Sequence, residues 1–528
     1  MSNQFKKSYL KILFALLIVL LIALFVILAL KNRNTENDEQ VQAENTPAYT
    51  TAIEETATKV EEEILYEDED PFRDYKYDFD LSLDVKKMTM DGVLNFTYYN
   101  NNEEEMDHLI FYLYANSYEK EEYYAIKEEH AKYGYPFGFS AGSIEIKNVE
   151  SETGAKYEVA GSQNHLLVID LEKAVEPDES IEIKIEYTVN IPHSFGRFGY
   201  GEDTISLVNC NPIMAVYDKE NGYYMYEYNN IGDPFFTECG DYTARITVPK
   251  DYIVAPTGKI TNTEYEGKMA IYNVDGQNRR DFGFVASDEF EVLSKNINGV
   301  EVYAYGIGNS KFNEIALEAA ADSIEVFSEL FGEYPYETFN VVETNFFIGG
   351  MEYPGMVLIG DAFYSEGLKG VMEMIVAHET AHQWWYAMVG NDQIAEPWLD
   401  EALATFSQRV YYEHVYPESY EKLIKKYVDD DFANREKRAE KRTTRIDLDT
   451  TEYINDYSLI VYGYGGWMID DLREYLGEED FYKAMSLYME SNKFQIAHRE
   501  DLEEAIEQIT GEDITWWFDE NMQIQVGN

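Results

Sequence analysis

Cysteine is nearly absent. The 528-residue chain has two, Cys210 and Cys239, too few for a disulfide scaffold or a cysteine-rich metal site. They allow one internal bridge; two buried free thiols satisfy the sequence equally well. Positive charge is scarce too. Lys and Arg number 42 against 100 Asp and Glu, a formal net charge of −58. A nucleic-acid binder needs a basic footprint, so that class is excluded. Histidine is sparse, with 8 in the chain, which gives weight to any pattern they form. No repeat of solenoid period is present. Apolar residues are plentiful, at 45% hydrophobic and 15% aromatic, with 45 Tyr. That excludes full disorder and supplies real cores. Amphipathic tyrosine rings suit large half-buried sheets.

Long hydrophobic runs are missing except at one place. Residues 12–30 are uninterruptedly apolar, about 19 residues and long enough to cross a bilayer as a helix. Lys6, Lys7 and Lys11 precede the run; Lys31 and Arg33 follow it, before strongly acidic sequence. The positive-inside bias therefore puts residues 1–11 in the cytoplasm and the remainder outside the cell. A cleaved signal peptide is the alternative, but no small-x-small site follows Leu30, so an uncleaved single-pass anchor is expected. Residues 31–74 are polar and acidic, with Glu61-Glu62-Glu63 and Glu67-Asp68-Glu69-Asp70. They read as a flexible linker with an end-to-end distance on the order of 35 Å, whose charge repels anionic headgroups.

Residues 75–295 carry period-two patterning. Tyr77, Phe79, Leu81, Leu83 and Val85 alternate with Asp78, Asp80, Ser82 and Asp84, a half-buried strand. Asp91-Gly92 reads as a turn before a strand over residues 93–98. Ile181, Ile183, Ile185, Tyr187 and Val189 repeat the pattern, and residues 245–248 and 252–254 look like strands punctuated by Pro249 and Pro256. Glu176-Pro177-Asp178 and Asn221-Gly222 separate further runs. The region is predicted to be a mostly antiparallel β domain. Residues 296–528 are predicted to be a helical domain, with helices over 312–331, 368–388, 398–414 and 501–509 and one strand pair near 339–342 and 356–359. The fold class expected is α+β and multidomain.

The chemistry is concentrated in His378-Glu379-Thr380-Ala381-His382. Two histidines at i and i+4 lie one turn apart on one helix face, where both imidazoles reach a single Zn²⁺. Glu379 falls beside them as a candidate general base. A catalytic zinc needs a third protein ligand and an open position. Glu401, 18 residues intervening after His382, sits at the predicted start of the next helix and is the candidate. Upstream, Gly349-Gly350-Met351-Glu352-Tyr353-Pro354-Gly355 surrounds one acid with glycines, as a close backbone approach requires. His165 and His498 read as structural histidines, and the basic cluster over residues 435–445 as a solvated face.

The zinc motif, its glutamate spacing and the Gly-x-Met-Glu loop resemble the zinc aminopeptidases of the gluzincin type, relatives of aminopeptidase N and leukotriene hydrolase. The resemblance extends from about residue 75 through Thr247-Val248-Pro249 and Thr257-Gly258 to Trp517. It implies an N-terminal β domain over 75–295 and a thermolysin-like zinc metallopeptidase domain over 296–528. It implies that His378, His382 and Glu401 bind Zn²⁺, that Glu379 activates water, and that Gly350, Met351 and Glu352 bind substrate. Glu352 would meet the free α-amino group. The family also uses a tyrosine to stabilise the oxyanion; Tyr462, in Val461-Tyr462-Gly463-Tyr464-Gly465-Gly466, fills that role, with Tyr457 and Tyr464 as rivals. Two departures stand out. Tyr353 replaces the usual Asn, and the family's second amine-binding residue has no match beyond Glu238. The chain also stops soon after Trp517, which implies a cleft more open than in longer relatives.

The expected function is thus a membrane-anchored extracellular zinc aminopeptidase acting on peptides with a free N-terminus. Alternatives are an inactive surface peptide sensor, or an endopeptidase or epoxide hydrolase on the same fold. The excess of acid predicts a negative field that favours cationic peptides.

Overall fold

The structure is a computed structural model that describes residues 75–123, 125–308, 310–429, 443–453 and 456–524. The alternation that begins at Tyr77 becomes the strand Tyr75–Asp84, with Tyr77, Phe79, Leu81 and Leu83 buried and Asp78, Asp80 and Ser82 exposed. It is a central strand of a seven-stranded sheet. Across that sheet the order is Lys259–Glu266, Met269–Arg279, Gly240–Pro249, Tyr75–Asp84, Thr89–Tyr99, Ser180–Asn190 and Ser143–Ser151. All its pairings are antiparallel except that of Tyr75–Asp84 with Gly240–Pro249. Its inner face packs on two four-stranded sheets, forming one apolar core that runs from Tyr77 to Leu358.

Asp91-Gly92 is not a turn. It lies inside the strand Thr89–Tyr99, and the chain reverses at residues 85–88. The reason is cross-strand packing: Gly92 pairs with Tyr187, and a Cβ on Gly92 would stand 2.3 Å from that ring. The glycine makes room for the tyrosine. Asn221-Gly222 does mark a hairpin, with Gly222 at φ 73°.

The second core is largely helical and runs to Ile524. Its helices include Ser310–Phe331, Lys369–Ala381, Trp398–Val415, Gly465–Leu476, Glu478–Ser491, Arg499–Thr510 and Thr515–Asn521. The expected strand pair is there, Thr338–Thr344 beside Met356–Gly360, in parallel. It belongs to a sheet of five, completed by Phe290–Ile297, Val300–Ile307 and Gly350–Met351. Residue 295 falls inside the first of these strands. The paired strands are buried along their whole length, because they serve both cores. Phe339, Val341, Val357 and Ile359 face the helices, while Val342, Met356 and Leu358 face the β side. Parallel strands covered on both faces read as continuous apolar runs.

The helix expected over 368–388 ends at Ala381. Beyond it the chain turns at Tyr386, with φ 133°, so that Trp384 and Trp385 insert into the core. Arg280, 1% exposed, ties this turn to the β region by donating to the carbonyls of Tyr386 and Thr237 at 2.7 and 3.0 Å. Cys210 and Cys239 are both buried, one in each core, with no disulfide between them. Among the described residues no helix is long and apolar enough to cross a membrane. The expected anchor over 12–30, the linker over 31–74 and most of the basic cluster over 435–445 lie outside the described residues.

Candidate active site

The helix Lys369–Ala381 buries Met372, Ile375, Val376 and Ala377 and brings His378 and Glu379 to its inner end, with His382 as the next residue after Ala381. His382 Nδ1 lies 2.9 Å from the Trp385 carbonyl. Donation to that oxygen fixes the ring and aims Nε2 at the shared centre. His378 Nε2 and His382 Nε2 face each other at 3.2 Å. Glu401, in the first turn of Trp398–Val415, completes a triangle: its Oε2 is 3.2 Å from His378 Nε2 and 3.3 Å from His382 Nε2. All three residues are buried.

This triangle fits a zinc ion. A tetrahedron with metal–ligand bonds of about 2.0–2.1 Å has edges of about 3.3 Å. The charges fit as well. Glu352, Glu379, Asp400, Glu401 and Asp233 are all buried around the two histidines; Asp233 pairs with Arg197, and the remaining acidity suits a cation. Burial alone would make His382 less basic, yet Glu352 and Glu401 outweigh it and raise its affinity for a proton. Burial likewise pushes the Glu401 carboxyl up, but hydrogen bonds from His378 and His382 dominate and hold it far below the usual carboxylate range.

Glu379 is turned toward the loop at Gly350–Met351. A Cβ on Gly350 would stand 2.3 Å from Glu379 Oε1, so only glycine allows this approach. Two residues on, Glu352 is 3% exposed and offers a carboxylate oxygen within 4.8 Å of Glu379 and His382. Gln383, the residue after the second histidine, staples the loop to this region. Its Oε1 accepts from Gly355 N at 2.7 Å and its Nε2 donates to the Tyr353 carbonyl at 3.2 Å. Tyr353 itself points away, its hydroxyl donating to Asn209 Oδ1 at 2.6 Å. The unusual residue at this position is therefore a packing element of the β side.

Tyr462 lies in the π-helical segment Ser458–Tyr464, with its ring stacked on His378 at 5.7 Å and its hydroxyl donating to Glu401 Oε1. Tyr457 packs edge-on against it, 5.9 Å between centroids, and also reaches the cavity. Tyr464 is not part of the cavity wall. The cavity is ≈ 530 Å³ and collects His378, Glu379, Glu401, Glu352, Gly350, Met351 and Tyr462. His382 is fully buried and does not reach the cavity wall.

Sequence patterning missed several wall residues. Arg197 and Asp233 enter from the β region as a part-buried ion pair, Arg197 Nε also lying 3.1 Å from Met351 Sδ. They are far apart in the chain and share no spacing rule, so nothing local announces them. Glu238, the residue considered for this wall, is outside it; its charge bears on the core tyrosine Tyr77. Gln393 and Asp400, between the histidines and Glu401, were also missed, since neither matches a ligand spacing. His498 caps the helix Arg499–Thr510 and pairs with Glu396 at 2.6 Å, and His165 is buried in the β region; neither is part of the cavity wall.

Comparison with known proteins agrees with this geometry. Residues 315–521 match the Peptidase family M1 domain. The chain is similar to a protein of Saccharomyces cerevisiae named "Aminopeptidase 2, mitochondrial", with 28% identity over 299 residues, 54% of this chain and 30% of the relative. It is also 28% identical to the alanine/arginine aminopeptidase of the same yeast, over 48% of this chain and 30% of that one. The chain thus spans about a third of the length of these curated relatives. Among solved structures, an M1 zinc metallopeptidase from Deinococcus radiodurans superposes with a TM-score of 0.60 at 15% identity, covering 87% of this chain and 96% of the other. A two-domain M1 zinc metallopeptidase bound to L-arginine gives 0.61 at 14% identity, covering 85% and 94%. At such identities the likeness is one of fold: a β-rich N-terminal region followed by a helical C-terminal domain.

Proposed function

We infer that this chain, a member of peptidase family M1 through residues 315–521, is a zinc aminopeptidase that removes N-terminal residues from peptides. The observation that carries this reading is the 3.2–3.3 Å triangle of His378, His382 and Glu401 with two further carboxylates, Glu379 and Glu352, within reach of it.

His378, His382 and Glu401 hold the zinc ion, which when bound supplies Lewis acidity to the scissile carbonyl and to the attacking water. Glu379 takes the water's proton and delivers it to the leaving amine. Its buried setting keeps bulk water from competing for that proton. Tyr462 turns its hydroxyl from Glu401 to the developing oxyanion. Glu352 pairs with the substrate's ammonium. Gly350 and Met351 offer an extended edge to the first peptide unit. Because the amine is anchored at one end of a short span and the bond is cut at the other, the enzyme acts as an exopeptidase. The apolar run over 12–30 and the positive charge before it support a cell-membrane anchor, with residues 31–528 outside the cell.

Glu379→Gln tests the base. The variant should retain one zinc per chain and lose about 10²- to 10⁴-fold in turnover of an aminoacyl anilide. Turnover equal to wild type would overturn the assignment.

A further inference from the structure

The chemistry above does not use Gln393, which is nevertheless built into the site. It is 1% exposed and lies between two buried carboxylates. Its Nε2 donates to Glu352 Oε1 at 3.1 Å and to Asp400 Oδ2 at 2.8 Å. A side-chain amide has two N–H groups on one nitrogen, and both are committed here. With Glu352 and Asp400 ionised the neighbours are acceptors and the NH₂ end faces them, which leaves Gln393 Oε1 buried without a hydrogen bond. Among the described residues Gln393 is the one hydrogen-bond donor to Glu352. On the other side, Asp400 Oδ1 accepts from the backbone N–H of Glu401 at 2.9 Å. A continuous path of hydrogen bonds therefore runs from Glu352 through Gln393 and Asp400 to the backbone of Glu401.

A glutamate side chain has several rotatable bonds, and a buried carboxylate without donors is costly to keep in place. Gln393 removes that freedom at Glu352. Resting on the function proposed above, we propose that Gln393 is a positioning residue for recognition of the substrate's amine. By clamping Glu352 against Asp400 it fixes the span between the amine anchor and the metal triangle, and so fixes which peptide bond is presented. Gln383 does the same for the loop backbone through Tyr353 and Gly355, so backbone and carboxylate are held separately.

The test uses the zinc-loaded full chain and two inhibitors, leucine hydroxamate and its counterpart lacking the amine. They share side chain and metal-binding head and differ only in the group that Glu352 would meet. Wild type should bind the amine form at least about tenfold more tightly, as a charge-assisted hydrogen bond implies. In Gln393→Met, similar in size but without a donor, that preference should fall to within about threefold. Zinc content and affinity for the amine-free compound should not change. Gln393→Asn, which keeps the amide but shortens its reach, should show the same loss and serves if the Met variant does not fold. A preference retained in the variant that folds, or equal weakening of both inhibitors, would overturn the role of Gln393. No preference in wild type would overturn the amine site itself, and this inference with it, so the two failures are distinguishable.

Discussion

A methyl group on Gly350 would collide with Glu379, and that contact explains the glycine two residues before Glu352. The local signals were all readable at this scale. The histidine pair, Glu379, Glu401 and Glu352 lie in short segments whose spacing carries its own chemistry. Arg197, Asp233 and Gln393 carry none; they become part of the site only when strands and loops distant in sequence converge. Tyr462 was readable by position, and its stacking on His378 separates it from Tyr464. Away from the cavity, Asp281 is buried and accepts from Asn209 Nδ2 at 3.1 Å, and burial pushes its carboxyl up to about 7. Between about pH 4 and 7 the folded chain then keeps a proton that the unfolded chain has lost. Folding takes up that proton, so this residue's contribution falls as pH rises through the window and is level above it. Asp281→Asn should therefore flatten the decline of stability from pH 4 to 7 by about 2–4 kcal/mol, relative to wild type. Denaturant midpoints across that range measure it, and an unchanged difference between the two proteins would contradict the argument.

At the scale of elements, periodicity located most strands and helices but not where they end. The strand Thr89–Tyr99 runs through Asp91-Gly92 because Tyr187 occupies the space a side chain would need. Gly-containing dipeptides signal turns on average, and a ring on the neighbouring strand is invisible to that rule. Tyr187 is itself held by donation from its hydroxyl to Asn211 Oδ1 at 2.7 Å, so it has little room to move aside. Gly92→Ala should cost about 1–3 kcal/mol through overpacking, read as a lower denaturant midpoint with zinc content unchanged; a neutral substitution would show that the ring gives way. The histidine helix likewise stops at Ala381 although its apolar pattern continues, because Trp384 and Trp385 are drawn into the core instead. Apolar residues in a buried turn and in a buried helix look alike in sequence.

At the scale of the molecule, the cavity exists because two cores share a sheet. The strands Thr338–Thr344 and Met356–Gly360 present one face to the helices and the other to the β region. The loop that carries Glu352 lies between those strands, and Arg197 and Asp233 reach it from the β side. Arg280 joins the same two parts through main-chain carbonyls rather than carboxylates, a link no charge pattern discloses. The two regions were readable as a change of texture near residue 300; the shared sheet was not, because its strands come from both sides of that change. The acidity of the chain, −58 overall, here takes a local form: five buried carboxylates around two histidines, of which Asp233 pairs with Arg197 and the others suit a cation. The most direct test is to compare an aminoacyl anilide with its N-acetylated counterpart on the zinc-loaded full chain, before and after chelation. Hydrolysis of the free-amine substrate, at least about 10²-fold slower hydrolysis of the acetylated one, and loss of both on zinc removal are expected. Equal rates on the two substrates, or activity that survives removal of zinc, would contradict the proposed function.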